Sequence, residues 1–162
     1  MRLLVVCLGN ICRSPMAEGA LRARLDASPL AGRVEVDSAG TGDWHVGEPP
    51  DRRAITCAAG HGVDIGGLRA RQLQARDFDR FDWILCADPA NLRDAGRLAS
   101  PAQRERLALY LPWSGGRGAG AIPDPYTGGS EQFEQVWTLV DEATKRAVAR
   151  LLHDADSGII GS

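Results

Sequence analysis

The chain opens MRLLVVCLGNICRSPMAEG, residues 1–19, and the nine residues VCLGNICRS at 6–14 decide how the rest is read. Residues 3–6 form a continuous apolar run without polar alternation, the mark of a strand buried on both faces of a parallel sheet. The run leads directly into Cys7, Leu8, Gly9, Asn10, Ile11, Cys12, Arg13 and then Ser14-Pro15, where a helix starts with Ala17, Leu21 and Leu25 at i, i+4 and i+8. A strand that turns this tightly into a helix is the opening unit of an α/β sheet.

Working outward, similar short apolar runs recur at 34–36, 83–87 and 107–111, with helical patterns between them. Asp51 and Asp88 stand where N-caps belong, and Pro89 follows Asp88 at the favoured first helical position. The last helix has the clearest stripe: Phe133, Val136, Trp137, Val140, Ala143, Ala147 and Leu151. These alternations predict one doubly wound α/β domain over residues 1–153, its central parallel sheet of about four strands flanked by helices. Residues 154–162, DADSGIIGS, lack periodicity and read as a loose tail. Two Pro/Gly-rich stretches, 40–51 and 112–129, read as long loops, the kind that carry function. In such sheets ligands bind beyond the carboxyl ends of the strands, where VCLGNICRS lies.

Composition narrows the classes. With 162 residues, 44% hydrophobic, 25% charged and a net charge of -2, the chain reads as an ordinary globular domain with no general attraction for nucleic acid or anionic membrane. No apolar run approaches the roughly 18 residues of a membrane span, and MRLLVV is too short for a signal-peptide core, so a cytoplasmic protein is expected. Cys7, Cys12, Cys57 and Cys86 include no C-x-x-C pair, and the histidines are only His45, His61 and His153, so neither a zinc site nor a disulfide framework is expected.

Residues 8–13 form a turn in which Gly9 can take positive φ and Asn10 is the non-glycine type most tolerant of it. Successive N–H groups in such a turn, with the positive end of the helix that follows, make a concavity suited to a tetrahedral oxyanion. Arg13 adds a planar fork of donors for two oxygens of that anion. A helix N-terminus and a nearby arginine stabilise thiolate over thiol, so Cys7, on the floor of this cradle, reads as a nucleophile placed to attack phosphorus in line. Ser14 can cap the helix and its hydroxyl can also donate to the Cys7 sulfur, two roles that are compatible. Such chemistry needs an acid for the leaving oxygen, and the strand-end candidates are Asp37, Asp43, Asp51, Asp88 and Asp124. Asp124 differs from the rest, because Pro123 and Pro125 hold it in an extended loop; on the residues alone it is either an acid or a plain turn residue.

C-L-G-N-I-C-R-S-P-M-A-E at 7–18 resembles the phosphate-binding loop of the low-molecular-weight protein-tyrosine phosphatases, and D-P-Y at 124–126 resembles their general-acid loop. D-S-A-G-T at 37–41, W-H-V-G at 44–47, H-G at 61–62 and N-L-R-D at 91–94 extend the likeness across nearly the whole chain. The resemblance implies a flavodoxin-like fold and a phosphocysteine mechanism without cofactor or metal. It implies Cys7 as nucleophile, Arg13 as binder of phosphate and transition state, and Asp124 as acid and then base, with Leu8, Gly9, Asn10, Ile11, Cys12, Arg13 and Ser14 forming the loop. Asn10, Ser38 and His61 match the family's loop supports, though His61 reads equally well as a residue satisfied at a helix end. Trp44 and Tyr126 match the pocket walls, Trp44 being otherwise a surface anchor. Cys12 matches a thiol that pairs reversibly with the nucleophile, against simple burial.

The implied partners are a phosphotyrosine protein and, as inhibitors, inorganic phosphate and other oxyanions, acting on a monomer or weak dimer. Arsenate reductases of this fold need further cysteines where the chain has only Cys86, and protein-arginine phosphatases tend to carry threonine at the position of Ile11. A non-catalytic phospho-residue binding module is the alternative outside enzymes, and it could dispense with Cys7 or Asp124. Thr127 stands where many family members have a second tyrosine, which speaks against regulation through paired tyrosine phosphorylation.

Overall fold

The computed structural model describes residues 1–116 and 120–160. β1 (Arg2–Cys7) pairs in parallel with β2 (Glu35–Gly40) on one side and with β3 (Trp83–Cys86) on the other; β3 pairs with β4 (Leu107–Leu109), giving the order β2-β1-β3-β4. The helices between and after the strands are α1 (Arg13–Asp26), α2 (Arg52–Gly60), the single turn α3 (Asp77–Arg80), α4 (Pro89–Gly96), the single turn α5 (Tyr110–Trp113) and α6 (Ser130–Asp156).

The unbroken apolar run of β1 is accounted for by its two faces. Leu3, Val5 and Cys7 pack into a core with α1, α2 and α6, whereas Leu4 and Val6 pack into a second core with Phe78, Phe81 and Ala95. A strand with helices on both sides cannot show polar alternation. Every residue of the predicted α6 stripe is buried, and Arg24 on α1 grips Asp141 on α6 through two hydrogen bonds of 2.6 and 2.8 Å. Because β1 is flanked by β2 and β3, the chain winds away from it in both directions, which opens a crevice at its carboxyl end.

Three boundaries differ from the sequence reading. β2 continues through Asp37, Ser38 and Gly40, polar and small residues that the apolar criterion passes over. They stay in the strand because their side chains are satisfied: Arg71 meets Asp37, and Ser38 is hydrogen-bonded to Asn10 and Glu18. The run at 107–111 splits into β4 and α5, since Pro112 has no N–H to give to a ladder. The tail expected from residue 154 is corrected in part: α6 runs on to Asp156, and Gly158 then takes φ +76°. Gly158 N donates to Ala155 O and Ile159 N to Asp154 O, a Schellman ending, and Ile160 folds back to a buried position. The predicted loop at 112–129 includes residues 117–119, and the tail includes 161–162, all outside the described residues.

The end of β2 lies directly beneath the turn that follows β1. Thr41 N donates to Cys7 O and Gly42 N to Leu8 O, both at 2.9 Å. A Cβ on Gly40 would stand 2.7 Å from Leu8 O and 3.2 Å from Asn10 N, backbone atoms that cannot swing aside. Gly40→Ala is therefore expected to lower the urea midpoint by the equivalent of about 1–3 kcal/mol, with faster amide exchange across residues 8–13. An unchanged midpoint and unchanged exchange would show that the strand and turn are not in tight register.

Candidate active site

Cys7 ends β1 and is buried, and its sulfur meets two neighbours from the turn: Ser14 Oγ at 3.0 Å and the backbone N–H of Asn10 at 3.3 Å. Asn10 has φ +57°, the left-handed conformation that asparagine tolerates better than other side-chain-bearing residues. Its amide nitrogen donates to Ser14 Oγ (2.7 Å) and Ser38 Oγ (3.0 Å), while its oxygen accepts from Arg71 N (3.0 Å). Since Asn10 donates to the Ser14 oxygen, the hydroxyl proton is free to turn toward the sulfur at 3.0 Å or toward Ala39 O at 3.5 Å. Ser14 does not cap the helix, since α1 begins without a side-chain cap, and its hydroxyl lies against the Cys7 sulfur instead.

The turn's carbonyls are drawn outward. Cys7 O and Leu8 O accept from the segment after β2, Ile11 O accepts from Asp51 N at 2.8 Å, and Cys12 O accepts from Met16 N at 3.2 Å, the first bond of α1. Behind the turn, Ser38 Oγ donates to Glu18 Oε1 at 2.6 Å. Burial pushes the Glu18 carboxyl up from its ordinary range, against the Ser38 hydrogen bond and Arg22.

Arg13 is 3% exposed, an unusual state for a guanidinium. Its Nη1 donates to Asp88 Oδ2 at 2.6 Å and to Ile122 O at 3.0 Å, and its Nη2 lies 3.9 Å from Asp124 Oδ2. Asp88 is an N-cap as its position predicted, accepting from Asn91 N at 2.8 Å, but its second oxygen anchors Arg13. Spacing in the sequence reveals the cap and conceals the anchor, because Arg13 is 75 residues away.

Asp124 is half exposed at the mouth of the site, with Oδ1 accepting from Tyr126 N at 3.1 Å. Arg53, at the start of α2, holds the segment after it: Nη2 donates to Tyr126 O (2.9 Å), Nη1 to Gly128 O (2.7 Å), and the guanidinium lies over the Tyr126 and Phe133 rings. The other side of Arg53 is tied to Asp51, which also caps α2. Hydrogen bonds from Arg53 hold the Asp51 carboxyl below its usual range, so the clamp is complete at neutral pH and is given up only as acid titrates that carboxyl.

These groups surround one cleft of about 170 Å3, floored by Cys7 and Arg13 and walled by Leu8, Trp44, His45 and Tyr126, with Asp124 at its rim. Trp44 and Tyr126 keep 67% and 51% of their surface exposed, so each offers a free ring face at the mouth. His45, with Nδ1 2.6 Å from Glu48 Oε2, was not among the sequence candidates. Cys12 also lines the cleft, and burial, then the Asp51 charge, push its thiol up to about 12.

His61 is the sequence candidate that the structure does not bring here. Its ring stacks on Trp137 and its Nε2 meets Glu134 Oε2 at 2.7 Å, both on α6, so it serves the α2–α6 contact. The Asn10 side-chain oxygen accepts from the backbone N–H of Arg71, whose guanidinium is fixed by Asp37 and Asp77. Glu18, Arg53 and Arg71 went unseen as site residues, and Asp88, weighed as an acid and a cap, went unseen as the anchor of Arg13, because these roles rest on contacts distant in sequence.

Residues 2–157 match the family described as low molecular weight phosphotyrosine protein phosphatase. A low molecular weight protein-tyrosine-phosphatase of Streptomyces coelicolor is 42% identical over 153 residues, covering 91% of this chain and 92% of its own. Among solved structures, YfkJ from Bacillus subtilis superposes with a TM-score of 0.86 at 33% identity, covering 95% of this chain and 96% of its own. Vibrio vulnificus Wzb in complex with benzylphosphonate superposes with a TM-score of 0.77 at 32% identity, covering 89% and 94%. With sequence and fold both matched along almost its full length, this chain belongs to the low molecular weight phosphotyrosine protein phosphatase family.

Proposed function

We propose that the protein hydrolyses phosphotyrosine in protein substrates, and aryl phosphates generally, through a phosphocysteine intermediate. The observation that carries this reading is the convergence on one sulfur: Cys7 Sγ, hydrogen-bonded by Ser14 and Asn10, lies on the floor of a cleft that also holds the Arg13 guanidinium and, at its rim, Asp124. With the carbonyls of Leu8, Ile11 and Cys12 bonded outward and the Asn10 N–H turned to the sulfur, the other N–H groups of the turn are left to the phosphate oxygens. Arg13 is steadied through Nη1 by Asp88 and Ile122 O, and its remaining donors meet two of those oxygens.

Cys7 attacks phosphorus as thiolate, and the bond to the leaving phenolic oxygen breaks as Asp124 gives that oxygen a proton. The Asp124 carboxylate then takes a proton from water, whose oxygen displaces the Cys7 sulfur and releases inorganic phosphate. Trp44 and Tyr126 stack on the aryl ring and set a depth that a phosphoserine chain is too short to use. The benzylphosphonate bound by the Vibrio vulnificus relative has the same aryl-and-oxyanion make-up. Phosphate, sulfate and vanadate are inhibitors on this reading. Under peroxide, Cys7 becomes a sulfenic acid that the Cys12 thiol condenses with, losing water to form a reversible disulfide. Such a thiol-dependent enzyme, acting as a monomer or weak dimer in one domain, suits the reducing cytoplasm.

Cys7→Ser is expected to abolish turnover of p-nitrophenyl phosphate while vanadate still binds; undiminished turnover would remove Cys7 as nucleophile, and an inactive wild type would leave only phospho-residue binding. Asp124→Ala should lower kcat about 10²–10⁴-fold for poor leaving groups and much less for p-nitrophenol; equal losses across leaving groups would contradict an acid role. Asp88→Asn keeps a capping residue but removes the anion that anchors Arg13. It should cost roughly tenfold or more in kcat/KM with the helix intact by circular dichroism, and wild-type kinetics would show that the anchor is dispensable.

A further inference from the structure

At the far end of α2 from the Asp51–Arg53 clamp, three side chains with metal-ligating atoms converge. Cys57 and His61 are four residues apart, the spacing that puts both on one helical face. Glu134 reaches them from the second turn of α6, 73 residues beyond His61, which is why no sequence spacing announces the group. The Cys57 sulfur, a His61 ring nitrogen and a Glu134 carboxylate oxygen all lie within 4.8 Å of one another, with His61 Nε2 2.7 Å from Glu134 Oε2. In a tetrahedral zinc site, bonds of about 2.0–2.3 Å put ligand atoms roughly 3.3–3.8 Å apart. The three atoms are within a side-chain adjustment of that spacing.

The surroundings suit a bound ion. Cys57 is buried while His61 and Glu134 are exposed, so the cluster is closed by protein on one side and open to solvent on the other. Stacking on Trp137, with ring centroids 5.1 Å apart and planes 12° from parallel, holds the imidazole with Nε2 toward Glu134. A thiol, an imidazole and a carboxylate together are poor ligands for magnesium or calcium and good ones for zinc.

We propose that Cys57, His61 and Glu134 bind a zinc ion, with a solvent molecule in the fourth position, and that the ion clips α2 to α6. On binding, the Cys57 S–H proton passes to solvent. The resulting thiolate and the Glu134 carboxylate balance the two charges of the zinc, His61 binds as neutral imidazole, and nothing is oxidised or reduced. The site is separate from the cleft and does not depend on the phosphatase reading.

The test is titration of the full-length, metal-free protein with zinc against a chromogenic chelator, repeated with cobalt(II) as a visible probe. One equivalent of zinc is expected to bind, and cobalt is expected to give tetrahedral d–d bands with a thiolate charge-transfer band in the near ultraviolet. Cys57→Ala should abolish the charge-transfer band, and His61→Ala and Glu134→Gln should each weaken zinc at least about tenfold. Cys7→Ser should leave the stoichiometry unchanged. Glu134 is exposed, so Glu134→Gln keeps the test open if the core variant Cys57→Ala does not fold. No stoichiometric binding, or binding that Cys7→Ser removes and Glu134→Gln leaves intact, would overturn the proposal by placing any metal on the cleft thiols.

Discussion

Asn10 is the residue on which the site's geometry rests. Four elements of the fold meet at it: its N–H points to the sulfur at the end of β1, its amide nitrogen joins Ser14 on α1 to Ser38 on β2, and its oxygen takes the N–H of Arg71. No residue confined to negative φ could do this, since the turn requires +57° there. The backbone strain of a left-handed side-chain-bearing residue is small against four hydrogen bonds in a buried network, where each unmade bond would cost more than in water. Glycine would relieve the strain and lose the side-chain bonds; aspartate could not donate to both serines. The network also fixes the Ser14 oxygen beside the sulfur, so a fold-level constraint reaches the sulfur directly.

The second constraint is the burial of Arg13. A guanidinium this deep is tolerable only when its charge is paired and its donors are met, and the pairing is uneven: Asp88 at 2.6 Å, Asp124 at 3.9 Å. The close partner grips one nitrogen only, and the distant one is half exposed. The arginine is thus held in place without having its whole fork consumed. The two aspartates flank one cation from α4 and from the Pro123–Pro125 loop, which brings an otherwise mobile carboxyl to the rim of the cleft.

Much of this was legible in the sequence, for identifiable reasons. β1 shows itself because it is buried on both faces, and α6 because seven apolar positions keep one period. Cys7, Asn10 and Arg13 show themselves because a strand-turn-helix has few ways to be built and those residue types are costly in it without a purpose. The extension of β2 did not show, because Asp37 and Ser38 look like turn residues until Arg71, Asn10 and Glu18 satisfy them. The ending of α6 did carry a local signal, a glycine followed by two isoleucines, which fits a Schellman motif with an apolar residue folded back. His61 was drawn to the loop by its place in a matched motif, although its stacking partner, Trp137, lies on a helix whose stripe was already evident.

The loop around Asp124 shows how a segment without secondary structure can still be pre-organised. Pro123 and Pro125 narrow its conformations before folding, which lowers the entropy lost on ordering it. Tyr126 N bonds back to Asp124, and Arg53 then takes the carbonyls of Tyr126 and Gly128 while packing over the Tyr126 ring. Arg53 is itself held by Asp51, whose own N–H holds Ile11 O in the turn. A single chain of contacts therefore runs from the turn around the sulfur, through the first residues of α2, to the loop that carries the carboxyl. The turn around the Cys7 sulfur and the loop that carries Asp124 are thus both tied to the first residues of α2, so the two sides of the cleft share one anchor.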